Sequence, residues 1–300
     1  MRIFVAGASG AIGQPLIAEL IRCGHSVTGM TQSEVGAKKL LALGASACIA
    51  DAFDSSSVEK ALRQSEPEIV IDELTSLPKN PADMAAYSAG DRKLRLEGGG
   101  NLHKAALTCG VRRYIQQGSG FFLRPGHGLA DESVGLAIDA TPGIAASAQM
   151  YAALEERTLK QQPMEGTVLR YGFFYGPNTW YNPDGGSAGQ ARNGQLPIIG
   201  EGLGVWSFIH IEDAAIATVA ALSSEPGIYN IVDDDPSPVH LCVPKFAAWV
   251  GAPPPPRITE EAARTLAGED AIYYQSKLRG ASNQKARKLL SFQPRRLQWL

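Results

Sequence analysis

No apolar run in this 300-residue chain reaches the roughly 18 residues that a membrane helix needs, although 44% of its residues are hydrophobic. The apolar stretch nearest the start, "IFVAG", is too short for the core of a secretion signal and reads as a buried strand. Cysteine is scarce. Cys23, Cys48, Cys109 and Cys242 are scattered, with no C-x-x-C or His/Cys spacing. No metal site is expected, and the simplest setting is a reduced cytoplasm. Charge is also modest: 28 Lys and Arg against 30 Asp and Glu leave a net −2 and a pI of about 6.2. Such a balance gives no general attraction to nucleic acid or to an anionic membrane. The expected partner is a small molecule, with a homodimer left open. There are no internal repeats, and the length is enough to bury a large core.

What is present is an alternation. "RIFVAG", "HSVTGM", "ACIAD", "EIVIDELT", "RRYIQQGSG" and "GTVLRYGFFYG" have strand length and composition, and helical patterns separate them. This rhythm predicts an α/β fold with a doubly wound parallel sheet, helices on both faces and right-handed crossovers. The rhythm weakens after Arg170. "GFFYGPNTWYNPDGGSAG" reads as an irregular loop over a site, and "GAPPPP" as a stiff extended spacer.

Gly7, Gly10 and Gly13 form G-x-x-G-x-x-G between the first strand and an amphipathic helix carrying Ile12, Leu16 and Leu20. Glycine permits the tight turn and lets backbone N–H groups approach a diphosphate, and the helix N-terminus adds partial positive charge. Gly7, Ser9, Gly10, Ala11, Ile12 and Gly13 are therefore the expected dinucleotide cradle.

The spacing resembles the short-chain dehydrogenase/reductase superfamily. More of the chain is similar to its extended and atypical branch, the NAD-dependent epimerase/dehydratase type. "GASACIADAFD" looks like that family's third strand, "GGGNLHKAALTCGVRRYIQQGS" like its next helix and fifth strand, "LRYGFFYGP" like the segment beside the nicotinamide, and "WSFIHIEDAA" like a later family segment. The resemblance implies a Rossmann domain over 1–170, completed by about 205–235, and a smaller interleaved substrate lobe from 171–204 and 236–300. It implies cofactor contacts at Asp51 and Ala52, at Leu74 and Thr75, and at Tyr171, Phe173 and Phe174. At the end of the second strand stand Thr31, Gln32 and Ser33, without the carboxylate that usually holds an NAD ribose. NADP is thus preferred over NAD.

The superfamily's acid/base pair is Tyr-x-x-x-Lys, in which the Lys lowers the Tyr pKa. Ser119 matches the family's substrate-binding Ser. Tyr151 lies on the following helix, but four residues on stands Glu155, and a Glu beside a Tyr would raise the phenol's pKa. In another alignment Ser147 takes the Tyr position and Tyr151 the Lys position. Tyr273 and Lys277 have the spacing but lie in the expected lobe. Tyr175 stands beside the nicotinamide if the resemblance holds, and His127 and His210 are further proton carriers.

Sugar-nucleotide members of the family commonly bind a diphosphate through an Arg, and here the matching residue is Trp206. Arg95 stands where the family has Asn. Phe121, Phe173, Phe174, Trp180, Tyr181 and Trp206 are expected to line a pocket for an apolar or aromatic substrate. The resemblance implies an NAD(P)-dependent oxidoreductase moving hydride between nicotinamide and a carbonyl, alcohol or activated C=C. A non-catalytic NAD(P) sensor is the alternative, and Trp206 speaks against a nucleotide-sugar epimerase or dehydratase.

Overall fold

A computed structural model describes residues 1–160 and 162–300. In chain order the nucleotide-type half runs β1 (Arg2–Ala6), α1 (Gly13–Arg22), β2 (Ser26–Thr31), α2 (Glu34–Ala42), β3 (Ser46–Ile49), α3 (Ser55–Ser65), β4 (Ile69–Asp72), α4 (Met84–Lys93), α5 (Gly99–Thr108), β5 (Arg113–Ser119), α6 (Pro142–Leu159) and β6 (Glu165–Tyr171). One π turn, Leu94–Gly98, joins α4 to α5. Then follow β7 (Phe173–Tyr175), α7 (Gly186–Arg192), β8 (Ile198–Ile199), β9 (Val205–Trp206), β10 (Phe208–His210), α8 (Ile211–Ala220), β11 (Gly227–Ile231), β12 (Ser237–Pro238), α9 (Val239–Trp249), β13 (Arg257–Ile258), α10 (Glu260–Ser276) and α11 (Gln284–Leu289).

Seven strands form one parallel sheet in the order β11-β6-β5-β4-β1-β2-β3. The chain winds outward from β1 in both directions, so a crevice opens between the C-terminal ends of β1 and β4, where ligands bind in such sheets. All four residues of β4 are buried, as a strand covered on both faces requires. Leu16, Ile17 and Leu20 of α1 pack with Ile209, Ala214 and Ala217 on one face. Val58 and Leu62 of α3 and Leu102 and Ala106 of α5 pack on the other. Each helix buries the stripe that its 3.6-residue period provides.

A third core lies over the C-terminal end of β5 and β6. It joins Phe122, Leu123, Tyr151 and Leu154 to Tyr175, Tyr181, Trp206, Phe208, Phe246 and Trp299. The segment expected to be an irregular loop is more ordered than its Gly and Pro suggest. Phe173–Tyr175 pairs in parallel with Phe208–His210, because three aromatic residues in a row favour a pleated, covered surface. The Pro run after α9 crosses to β13 without helix or strand.

Candidate active site

The glycine turn leaves no room for a side chain at Gly7 or Gly13. Gly7 has φ +75°, and a Cβ there would sit 2.2 Å from the Glu73 carbonyl oxygen. A Cβ on Gly13 would sit 2.4 Å from the carbonyl oxygens of Gly7 and Ala8. Gly10 N–H closes the turn on Gly7 O at 3.0 Å. No side chain caps the start of α1; Gln14 N–H goes to Gly10 O at 3.3 Å and Pro15 has no N–H, so the Gly13 N–H is what the first turn leaves for an anion such as a diphosphate. Ala11 is exposed and Ile12 buried, which places the rim and the floor of the cradle. The residues present fit a dinucleotide.

Around it, Ser9 Oγ lies 3.2 Å from Thr31 Oγ1. Thr31 is buried, while Gln32 and Ser33 are exposed at the strand end. Ser33 also caps α2, accepting Gly36 N–H at 3.1 Å. Asp51 is exposed and accepts the N–H of Phe53, and the Ala52 carbonyl accepts from Asn101 Nδ2 at 2.9 Å. Leu74 is buried at the end of β4, and the neighbouring Thr75 Oγ1 is a buried hydroxyl without a partner among the described residues.

The segment beside the expected nicotinamide divides by strand alternation. The Phe173 ring stacks on Phe121 with centroids 4.3 Å apart and lies 5.4 Å from Trp206. Phe174 turns the other way, to Tyr171 at 5.2 Å. The Tyr171 hydroxyl is 3.0 Å from Glu73 Oε1 and 2.6 Å from Thr218 Oγ1, inside the core beneath the sheet's edge. Tyr175 is equally enclosed: it donates to Arg296 O at 3.3 Å and meets His210 and Trp299 edge-on. Tyr171 and Tyr175 are thus held within the packing by these contacts and are not brought to the cleft.

The aromatic set spreads over a wall, a loop anchor and the lobe core, with the Tyr181 ring 6.1 Å from Phe173 and 6.2 Å from Trp206. Phe121, Phe173 and Trp206 form a connected wall, with Trp206 Nε1 donating to Tyr274 O at 2.8 Å. Trp180 donates to Pro78 O at 2.9 Å, pinning its loop to the segment after β4. Tyr181 packs edge-on against Phe208 and Phe246, inside the lobe. Sequence reasoning missed Phe122 and Tyr274, whose rings are 6.2 Å apart. Tyr274 also reaches Phe173 at 6.4 Å. The "YYQSK" stretch held that signal, but its spacing drew attention to Tyr273. In fact Tyr273 is buried with its hydroxyl near Leu123 O at 3.5 Å. With Lys277 it lines a cleft of about 500 Å³ alongside Arg124, Asp139 and Glu269.

Ser119 ends β5, 1% exposed, and its Oγ accepts Phe121 N–H at 3.4 Å. Tyr151 on α6 is 5.6 Å from Phe122. The expectation that Glu155 would act on this phenol is corrected: Arg170 takes both oxygens of the Glu155 carboxylate, at 2.7 and 2.8 Å. The charged group facing Tyr151 is instead Arg95, whose Cζ lies 5.3 Å from the ring centroid. Burial pushes the Tyr151 phenol up, and the Arg95 guanidinium pulls it back down. His127 is exposed. His210 is buried, caps α8 by accepting Glu212 N–H at 3.2 Å, and is held below the usual imidazole range by its burial.

Residues 3–232 match the NAD dependent epimerase/dehydratase family. The chain belongs to that family. It is 37% identical over 302 aligned residues to a Streptomyces protein named 3-diazoavenalumate denitrifying reductase, covering 100% of this chain and 98% of the relative. Its fold is similar to that of a UDP-glucose 4-epimerase from Thermotoga maritima (TM-score 0.75, 19% identity, 98% of this chain and 94% of that one). It is also similar to a Thermus thermophilus UDP-glucose 4-epimerase solved with NAD (TM-score 0.73, 21% identity, 98% and 94%). Family membership and the reductase-named relative support an enzyme of the NAD-dependent oxidoreductase and epimerase/dehydratase class. No helix among the described residues is long and apolar enough to cross a membrane, and no group of His, Cys, Asp and Glu among them could hold a metal ion.

Proposed function

We propose that this protein is an NADP(H)-dependent reductase that passes hydride to an electron-poor centre of an apolar or aromatic small molecule. The observation that carries the proposal is the Phe121–Phe173 stack, which joins the segments after β5 and β6 two residues beyond Ser119 and Tyr171. With Trp206 it makes an apolar wall where a nucleotide-sugar enzyme would need a cation for a diphosphate. The reduced nicotinamide supplies the hydride when bound. The chain's own work is to cradle the diphosphate on Gly7, Gly10 and the start of α1, to exclude water with the aromatic wall, and to hold a substrate oxygen at Ser119. The absence of a carboxylate at Thr31, Gln32 and Ser33 supports a cofactor carrying a 2′-phosphate.

A second reading has its own support in the name of the 37% identical relative, a denitrifying reductase of a diazo compound. On an arenediazonium ion the ring carbon accepts hydride and dinitrogen leaves with its bonding pair. No proton is consumed, so a lysine-assisted tyrosine would not be needed.

Cofactor oxidation with aromatic aldehydes, enones and arenediazonium salts tests both readings, using wild type and Tyr151→Phe. Aldehyde turnover that is lost in the variant supports carbonyl reduction. Diazonium turnover indifferent to the variant supports the second reading. Cofactor binding with no turnover of any class would point to a sensor and overturn the proposal.

A further inference from the structure

We propose that Arg95 supplies from a neighbouring helix the cation that the Tyr-x-x-x-Lys pair normally carries on one helix, so that Arg95 is the positioning residue for Tyr151 as proton donor. The fourth residue after Tyr151 is closed to this role, since Glu155 is bound by Arg170. Arg95 stands 56 positions earlier in sequence, yet its guanidinium carbon is 5.3 Å from the Tyr151 ring centroid.

That placement is built. Arg95 lies in the π turn between α4 and α5, a local widening that recurs at functional sites. Arg157 holds the turn from α6, donating to Leu96 O at 3.1 Å and Arg95 O at 3.5 Å. The Arg95 side chain is 3% exposed and is aimed by Asp91 (Nε to Oδ2, 2.8 Å) and Gln117 (Nη1 to Oε1, 2.8 Å). Asp91 is itself fixed by Ser76 N–H on its other oxygen at 2.7 Å. The guanidinium is thus buried yet paired, by Asp91 of α4 and Gln117 of β5, which fixes its charge beside the Tyr151 ring. No hydrogen bond from a described residue acts on the Tyr151 hydroxyl, whose proton stays available to a ligand. The groups acting on that phenol are Arg95 and Asp91 from the α4 side, Glu73 from the end of β4, and Tyr274 from α10. Arg95 is the one cation among them.

The step is balanced. The substrate carbon takes hydride from the reduced nicotinamide, and its oxygen takes the Tyr151 proton. The phenolate left behind is stabilised by Arg95 and recovers a proton from solvent. The proton's destination rests on the carbonyl form of the proposed function, whereas the coupling of Arg95 to Tyr151 does not.

The test therefore has two arms, both on the full chain. In the first, tyrosine ionisation is followed by ultraviolet difference titration, and subtraction of Tyr151→Phe isolates the Tyr151 signal. Arg95→Met should move the Tyr151 midpoint up by about one pH unit or more, and Arg95→Lys should keep it. Because Arg95→Met strands the Asp91 carboxylate, the double variant Asp91→Asn/Arg95→Met is measured beside it. In the second arm, NADPH oxidation with nitrobenzaldehyde should fall about a hundredfold in kcat in Tyr151→Phe and Arg95→Met. KM and NADPH affinity should stay within about threefold, and Arg95→Lys should recover most of the rate. A Tyr151 midpoint unmoved in both Arg95→Met and the double variant overturns the proposal. If wild type does not turn over the aldehyde, the carbonyl reading fails by itself, and the titration still decides the role of Arg95.

Discussion

Glu155 and Arg170 meet through two parallel hydrogen bonds, Nε to Oε1 at 2.7 Å and Nη2 to Oε2 at 2.8 Å. Their side chains are 12% and 3% exposed, and Arg170 also donates to Val134 O at 3.0 Å. A lysine at position 155 would set two cations against each other in a place with little water. Glu155→Lys should therefore destabilise the fold by about 3–5 kcal/mol and restore no activity, because breaking a buried pair leaves an uncompensated charge. Glu155→Gln, which keeps one acceptor, should cost less. Urea denaturation measures both. A stable Glu155→Lys with raised turnover would show that the family's usual pair had only been mislaid.

The three glycines of the turn should fail in different ways. Gly10 has one near neighbour, with Gly7 O 3.1 Å from a built Cβ, so a side chain there projects toward the ligand more than into the protein. Gly10→Asp should leave the unliganded melting temperature nearly unchanged and abolish the rise caused by NADPH. Gly7→Ala and Gly13→Ala press on backbone carbonyls at 2.2 and 2.4 Å, and should lower the unliganded melting temperature itself. Thermal shift with and without cofactor separates the two outcomes. Equal behaviour of all three would mean that the turn serves packing only.

Glu73 makes stability depend on pH. Three oxygen contacts run in a chain: Glu73 to Tyr171 at 3.0 Å, Tyr171 to Thr218 at 2.6 Å, and Thr218 to Ala214 O at 2.7 Å. Tyr171 donates to Glu73 Oε1 and Thr218 to Ala214 O, while Glu73 Oε2 is buried without a partner among the described residues, so a charge there is poorly solvated. Burial raises Glu73 from 4.5 to about 8. The unfolded state then loses this proton near pH 4.5 while the folded state keeps it. The contribution is complete below about pH 4.5, declines at roughly 1.4 kcal/mol per pH unit above it, and is gone above about 8. Asp233, raised by burial from 3.8 to about 8, acts in the same direction. Glu73→Gln should flatten this part of the profile relative to wild type in denaturant titrations between pH 5 and 8. Parallel profiles would show that Glu73 is ionised in the folded chain.

The glycine turn, the alternation of strands and helices and the position of Ser119 are legible in the sequence because each depends on neighbours a few residues away. The partners of the charged groups are not. Arg95 faces Tyr151, and Glu155 faces Arg170, only once α4, α6 and β6 have packed, and no spacing reports that. The aromatic run of β7 shows the same limit in miniature. Its composition marks an apolar wall, but alternation turns Phe174 away from Phe173, and packing alone gives Phe173 to Phe121 and Tyr175 to His210 and Trp299. Tyr274 was overlooked for a related reason: two adjacent tyrosines on a helix point about 100° apart, and spacing to Lys277 singles out the wrong one.

Cofactor choice should be decided at Gln32. Thr31 is buried against Ser9, so the first side chain free to meet the adenine ribose is Gln32, followed by Ser33. Neither is negative, and a 2′-phosphate meets no repulsion there. Wild type should bind NADPH more tightly than NADH. Gln32→Asp places a carboxylate where it would hydrogen-bond a ribose 2′-hydroxyl and repel a phosphate. The variant should lose about tenfold or more in NADPH affinity, near 1.4 kcal/mol, and gain for NADH. Calorimetric titration of both cofactors into both proteins measures this. Tighter NADH binding by wild type would overturn the NADP preference while leaving the glycine cradle in place, since the diphosphate is common to both.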